Sequence, residues 1–136
     1  MDSIPISLGD AFLLDTPPNN EHLYIAIAQT SENTYLFVNV TTRRSHSETA
    51  CLLLPGSGVP SFVIRESVIA YQYAREMDAT ELSELITAGS PIPKGMCSAA
   101  ILTKIQQSGL ASKRLKKKYK TALKAFLKIS WDFVAM

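Results

Sequence analysis

"EHLYIAIAQTSENTYLFVNVTTRRSHSE", Glu21 to Glu48, carries two extended runs and the polar residues that bracket them. "LYIAIAQ" and "TYLFVNV" are built from β-branched and aromatic residues, the composition of a strand rather than a helix. In the second run Tyr35, Phe37 and Asn39 alternate with Leu36, Val38 and Val40, so each set takes one face of a sheet. The polar "TSEN" between the runs reads as a turn, which makes them an antiparallel hairpin. Antiparallel pairing sets the head of one strand beside the tail of the other. His22 stands at that head, and Thr41, Thr42, Arg43 and Arg44 stand at that tail. One end of one hairpin therefore gathers an imidazole, two hydroxyls and two guanidiniums.

The same alternation extends outward. Upstream, Gly9-Asp10 is a turn signal, "AFLL" a short buried strand and "DTPPNN" a loop, because Pro17 and Pro18 cannot extend a ladder. Downstream, "TACLLL" reads as a strand, "PGSGVP" as a break and "SFVI" as a further strand. Ser67–Ala74 reads as another strand, with a helix as the competing assignment. The pattern then changes period. "DATELSELITAG" is a helix with Asp78 or Thr80 as its cap and Gly89 as its end. "SPIPKG" is a linker. "MCSAAILTKIQQSG" is a second helix, with Ser98 near its start and Gly109 just past its end. The third, "SKRLKKKYKTALKAFLKISWDF", has an apolar stripe of Leu115, Tyr119, Ala122, Leu123 and Phe126. Lys116, Lys120, Lys124 and Lys128 recur on another of its faces. About six strands followed by helices imply an α+β fold, a small curled antiparallel sheet or barrel with helices on one face.

The 136 residues and 46% apolar content suit one domain with a real core. No apolar run approaches the roughly 20 residues of a membrane helix, so no membrane partner is expected. Met1–Pro5 lacks a basic region followed by an apolar run, which favours a cytoplasmic location. Cys51 and Cys97 lack metal-ligand spacing and read as buried free thiols. Charge is divided unevenly along the chain. Residues 1–112 hold 6 Lys/Arg against 11 Asp/Glu, a net −5; residues 113–136 hold 8 against 1, a net +7. A basic end of that size points to an anionic partner or to docking on the acidic body.

The hairpin end has a chemistry of its own. Histidine is the side chain whose ordinary pKa lies nearest neutrality, so His22 is a candidate general acid or base. Thr41 and Thr42 supply hydroxyls, and Arg43 a planar cation matched to a phosphate. An acid/base group beside a fixed cation is what phosphodiester transesterification requires, and neither a metal nor another cofactor enters it. Arg44, with Lys116, Lys120 and Lys124 on the last helix, would extend the phosphate contacts. His46 is a second imidazole, read as a solvent-exposed loop residue. The competing reading makes His22 a strand start and "TTRR" a solvated turn.

Five pieces in chain order resemble the MazF/PemK (Kid/CcdB-fold) toxin family. They are "GDAFLL" (Gly9–Leu14), "HLYIAIAQ" (His22–Gln29), "VNVTT" (Val38–Thr42), "RESVIAYQYAREM" (Arg65–Met77) and "CSAAILTKIQQ" (Cys97–Gln107). The resemblance implies an SH3-like antiparallel barrel with C-terminal helices packed on it, over residues 1–110. Residues 111–136 would be a basic amphipathic helical extension. It also implies a toxin that cuts single-stranded RNA without a metal, is neutralised by a cognate antitoxin protein and is dimeric in most members. The family's cleavage residues, an Arg heading the second strand and a Thr or Ser ending the third, fall on His22 and on Thr41 or Thr42. Here His22-Leu23 replaces the family's Arg-Pro, so His22 would act as acid or base and Arg43 as the cation. The alternative is a non-catalytic SH3-like binding module for a protein partner or RNA.

Overall fold

The computed structural model describes residues 6–15, 21–86 and 95–135. In chain order its elements are β1 (Asp10–Asp15), β2 (Glu21–Gln29), β3 (Thr34–Thr42), β4 (Leu52–Leu53), β5 (Ser67–Asp78), α1 (Ala79–Leu85), β6 (Gly95–Met96), α2 (Ala99–Ala111) and α3 (Lys117–Ala135). The strands form one antiparallel sheet in the order β4-β5-β3-β2-β1-β6. The fold is α+β: a curled half-barrel sheet with helices packed on it.

Both faces of the sheet are covered. Leu23, Ile25, Leu36, Val38 and Val40 face a large cluster closed by Ile105 of α2 and by Leu115, Tyr119 and Leu123 at and within α3. Tyr24, Ala26 and Phe37 face a smaller cluster with Phe12, Leu14, Met77 and Leu82 of α1. The alternation expected for Tyr35–Val40 is therefore real, but the two faces are a large core and a small one, not core and solvent. Two irregularities curl the sheet. Ile27 has no cross-strand partner between the pairs Ala26↔Phe37 and Ala28↔Leu36. On β5, Tyr71–Ala74 oppose the single residue Val38. Bulges of this kind sharpen local twist and bend a strand.

α2 closes over both bulges. The buried Gln106 donates from Nε2 to the Ile27 carbonyl at 2.8 Å. The buried Tyr71 hydroxyl donates to the Ile105 carbonyl at 2.6 Å. A buried polar group without a partner costs about 1–3 kcal/mol, so these bonds let the Ile27 carbonyl and the Tyr71 hydroxyl sit inside a core.

Several sequence expectations need correction. "SFVI" is not a strand: Val63 N–H turns back to the Pro60 carbonyl at 2.9 Å, and Val63 alone enters the core while Phe62 and Ile64 stay exposed. "TACLLL" contributes just Leu52–Leu53, and the last residue of the proposed linker, Gly95, belongs to a strand. Ser67–Ala74 is a strand and runs on to Asp78, so no loop precedes α1. Asp78 caps that helix in a capping box with Glu81. Gly109 lies inside α2 rather than beyond it, and Ser112 is the C-cap. A Cβ at Gly109 would meet Leu123 at 3.1 Å and Tyr71 at 3.2 Å, so the small residue serves close packing. The loop at 16–20, Gly89 and linker residues 90–94 lie outside the described residues.

Replacing Gln106 by Leu keeps volume but strips the Ile27 carbonyl of its donor. The expected loss is about 1–3 kcal/mol in chemical denaturation. A change below about 0.5 kcal/mol would mean the bulge does not depend on α2.

Candidate functional site

The hairpin places its ends as the sequence implied. Leu23 pairs with Val40 at the end of that ladder, so His22 and Thr41 each lie one position beyond the last pair. His22 pairs with Leu14 on its other side and is half-buried. β3 continues through Thr41 and Thr42, which pair with Val68 and Ser67 of β5. The ladder stops there because the chain turns: Arg43 N–H donates to the Glu66 carbonyl at 3.2 Å, and Arg44 N–H to Ser47 Oγ at 2.8 Å.

Three clefts meet at this end, and Thr42 lines all of them. The first, about 520 Å³, is walled by Leu23, Val40, Phe62, Val63 and Ile64, with Thr41, Ser61 and Arg65 among its polar groups. The second, about 470 Å³, is polar and includes Arg43, Arg44, Arg65 and Glu66. The third, about 190 Å³, includes Thr41, Arg44, His46, Gln72, Tyr73 and Arg114. Gln72 Oε1 is buried without a hydrogen-bond partner among the described residues.

Arg43 is held by Glu66 at 3.2 Å, with both side chains nearly half-exposed. Such an exposed pair contributes at most about 1 kcal/mol, so an incoming phosphate can compete for the guanidinium. The guanidiniums of Arg44 and Arg65 have no partner among the described residues. Thr41, Thr42, Arg43 and Arg44 are thus brought together. His22 is placed at the same end but lines none of the three clefts. Lys116, Lys120 and Lys124 also stay outside them. Lys116 and Lys118 lie 6.0 and 5.0 Å from the ring of Tyr119, and that ring is buried in the core rather than free to stack on a base.

The basic C-terminal segment reaches the site by another residue. Arg114 donates to the His46 carbonyl at 3.1 Å, and Glu48 accepts from Ser112 Oγ at 2.6 Å and Lys113 N–H at 2.8 Å. Sequence reasoning passed over Arg65, Arg114, Tyr73 and Glu48. Arg65 and Tyr73 carried a usable signal, since each sits within or beside a strand that neighbours β3; Arg114 and Glu48 are 66 positions apart and carried none.

Among the described residues no group of three or more His, Cys, Asp and Glu side chains gathers around a point where a metal could sit. No helix there is long and apolar enough to cross a membrane. Cys51 and Cys97 are free and buried. Burial raises the pKa of both thiols, that of Cys97 to about 12 from 9.0, so neither is a nucleophile at neutral pH. Searched against family models, the sequence has no match, and no curated protein is significantly similar to it.

The raised thiol values fix a sign. Burial favours the protonated form, so this contribution to stability is whole below the ordinary thiol pKa of 9.0 and lost as pH climbs toward about 12. A disulfide-exchange reagent at about pH 8 should leave both thiols intact in the folded protein and modify both after unfolding. Fast modification without unfolding would contradict the burial.

Proposed function

We propose that the chain is an endoribonuclease of toxin type, which binds single-stranded RNA at the Thr41–Arg44 end and cuts it by transesterification without a metal. The observation that carries this reading is the meeting of three clefts at Thr42, with Arg43, Arg44, Arg65 and Arg114 around them. Two hydroxyls and four cations at one sheet end suit a phosphodiester, and arginine in particular offers a paired donor geometry to its oxygens. The apolar wall with Phe62 beside these cations suits an unstacked base, which only a single strand presents.

The chemistry is set by the groups present. A base withdraws the 2′-hydroxyl proton, the O2′–P bond forms, the P–O5′ bond breaks and an acid returns a proton to O5′. The products are a 2′,3′-cyclic phosphate and a 5′-hydroxyl. His22, one position beyond the Leu23–Val40 pair, and His46, in the cleft with Thr41 and Thr42, are the two imidazoles available for these transfers. Thr41 and Thr42 orient the phosphate, Arg43 balances the charge that gathers on phosphorus, and Arg44 holds the strand as a binding contact. In this reading a cognate antitoxin protein masks the same end, the chain works as a homodimer and it acts in the cytoplasm.

A second reading keeps the site and removes the chemistry. Phe62 and Ile64 are exposed beside the first cleft, 44% and 73%, as on a surface that docks a protein. The SH3-like module would then bind RNA or a protein partner without cutting it.

Incubation with a long single-stranded RNA in EDTA separates the two. The enzyme reading expects discrete fragments with cyclic phosphate ends. His22→Ala should lower the rate about 10²–10⁴-fold with the fold intact. Arg44→Ala should act mainly on KM. Folded wild-type protein that leaves the RNA whole sinks the nuclease, and a gel shift with the same RNA then decides between an RNA-binding and a protein-binding module.

A further inference from the structure

Resting on that RNA-binding reading, we infer that the α2–α3 junction supplies the site with a second phosphate seat. Arg114 forms it together with Arg44 and His46, and Glu48 is the positioning residue that holds Arg114 there. Ser112, the fully buried C-cap of α2, is the pivot of the junction. Its Oγ donates to Glu48 and accepts from Arg114 N–H at 3.0 Å and Leu115 N–H at 3.1 Å. The second Glu48 oxygen accepts from Lys113 N–H. One carboxylate from the β3–β4 loop therefore fixes, directly or through Ser112, four of the five residues that join the two helices. The junction is a polar, basic stretch of sequence, yet it has a single fixed path.

That path carries the Arg114 guanidinium to the 190 Å³ cleft, where it shares the lining with Arg44, His46, Thr41 and Thr42. Arg114 uses one donor on the His46 carbonyl. A guanidinium has five N–H donors, so most remain for an anion. Glu48 lines the same cleft and would by itself repel a phosphate. Both of its oxygens, however, already accept hydrogen bonds, one from Ser112 Oγ and the other from Lys113 N–H. The seat adjoins the Arg43–Arg65 cleft through Thr42 and Arg44, which belong to both. A neighbouring phosphodiester of the same strand is the occupant this continuity favours. The basic end of the chain thus enters the site through Arg114 at its first turn, and the lysine row on α3 stays outside.

The test is the salt dependence of binding, read by anisotropy on a fluorescein-labelled 2′-O-methyl RNA, which lacks the attacking hydroxyl and stays intact. Losing one phosphate contact on a single strand should reduce the slope of log K against log salt by about 0.7. Arg114→Ala should show that reduction and several-fold weaker binding at low salt, with unchanged melting. Glu48→Ala should reproduce it although Arg114 is present, and Glu48→Gln, which keeps one acceptor oxygen, should fall between. Lys128→Ala, exposed on α3 and outside the clefts, should keep the full slope. Arg114→Ala with wild-type affinity and slope overturns the seat. So does an equal effect from Lys128→Ala, which would make the loss one of net charge. Wild-type protein that binds no RNA at any salt fails at the earlier step and removes both readings together.

Discussion

Two hydrogen bonds from successive residues of one helix carry the architecture. Both bulges in the sheet expose main-chain or side-chain polar groups to the large core, and α2 answers each, Ile105 accepting from Tyr71 and Gln106 donating to Ile27. The bulges curl the sheet, and the curl makes room for the helix that satisfies them. Bulges bend the sheet toward α2, and α2 packed there without the Gln106 donor would bury an unpaired Ile27 carbonyl. Gly109, one turn further along, lets α2 approach Tyr71 and Leu123 closely enough for both bonds to form.

Once α2 is fixed, the next segment of the chain is fixed with it. The helix ends at Ser112, whose hydroxyl meets Glu48 at 2.6 Å, so the registration of α2 on the bulges becomes the position of the junction beside the β3–β4 loop. A chain of packed and hydrogen-bonded elements then runs from the centre of the sheet to the Thr41–Arg44 end. The polar end of the hairpin would be a mobile turn if only its own residues held it. It is held from below by pairing with β5 and from the side by the helical junction.

The hairpin was legible because its information is local. Period-two alternation over Thr34–Val40 names both faces, and antiparallel pairing alone brings His22 to the end of the hairpin where Thr41 lies, one position beyond the Leu23–Val40 pair. The α1 cap was legible only as a choice between Asp78 and Thr80, which the capping box of Asp78 with Glu81 decides. The features that stayed hidden depend on contacts distant in sequence. "SFVI" has strand composition, but whether it pairs depends on an available edge, and the two-residue β4 offers none beyond Leu53. Gly109 carries the usual signature of a helix end, yet its missing side chain answers to Tyr71, 38 positions earlier. The lysine row drew attention by its spacing of four. The residue of that segment which reaches the clefts, Arg114, stands just before the row and is chosen by Glu48.

The charge asymmetry acquires a different meaning once the helix is packed. A +7 segment after a −5 body suggests a free basic arm. Here Leu115, Tyr119 and Leu123 are part of the same core as Ile25 and Val38, so the arm is a wall of the fold. Its charges cannot rearrange around a ligand as those of a disordered tail do. They form a fixed field, and only the groups at the near end, within a Debye length of about 8–10 Å, act on an anion in the clefts at physiological salt. A fixed basic wall speeds the approach of a polyanion and orients it. In the proposed RNA-binding reading, discrimination would come from the clefts around Thr42, where hydroxyls, arginines and an apolar wall meet within one surface.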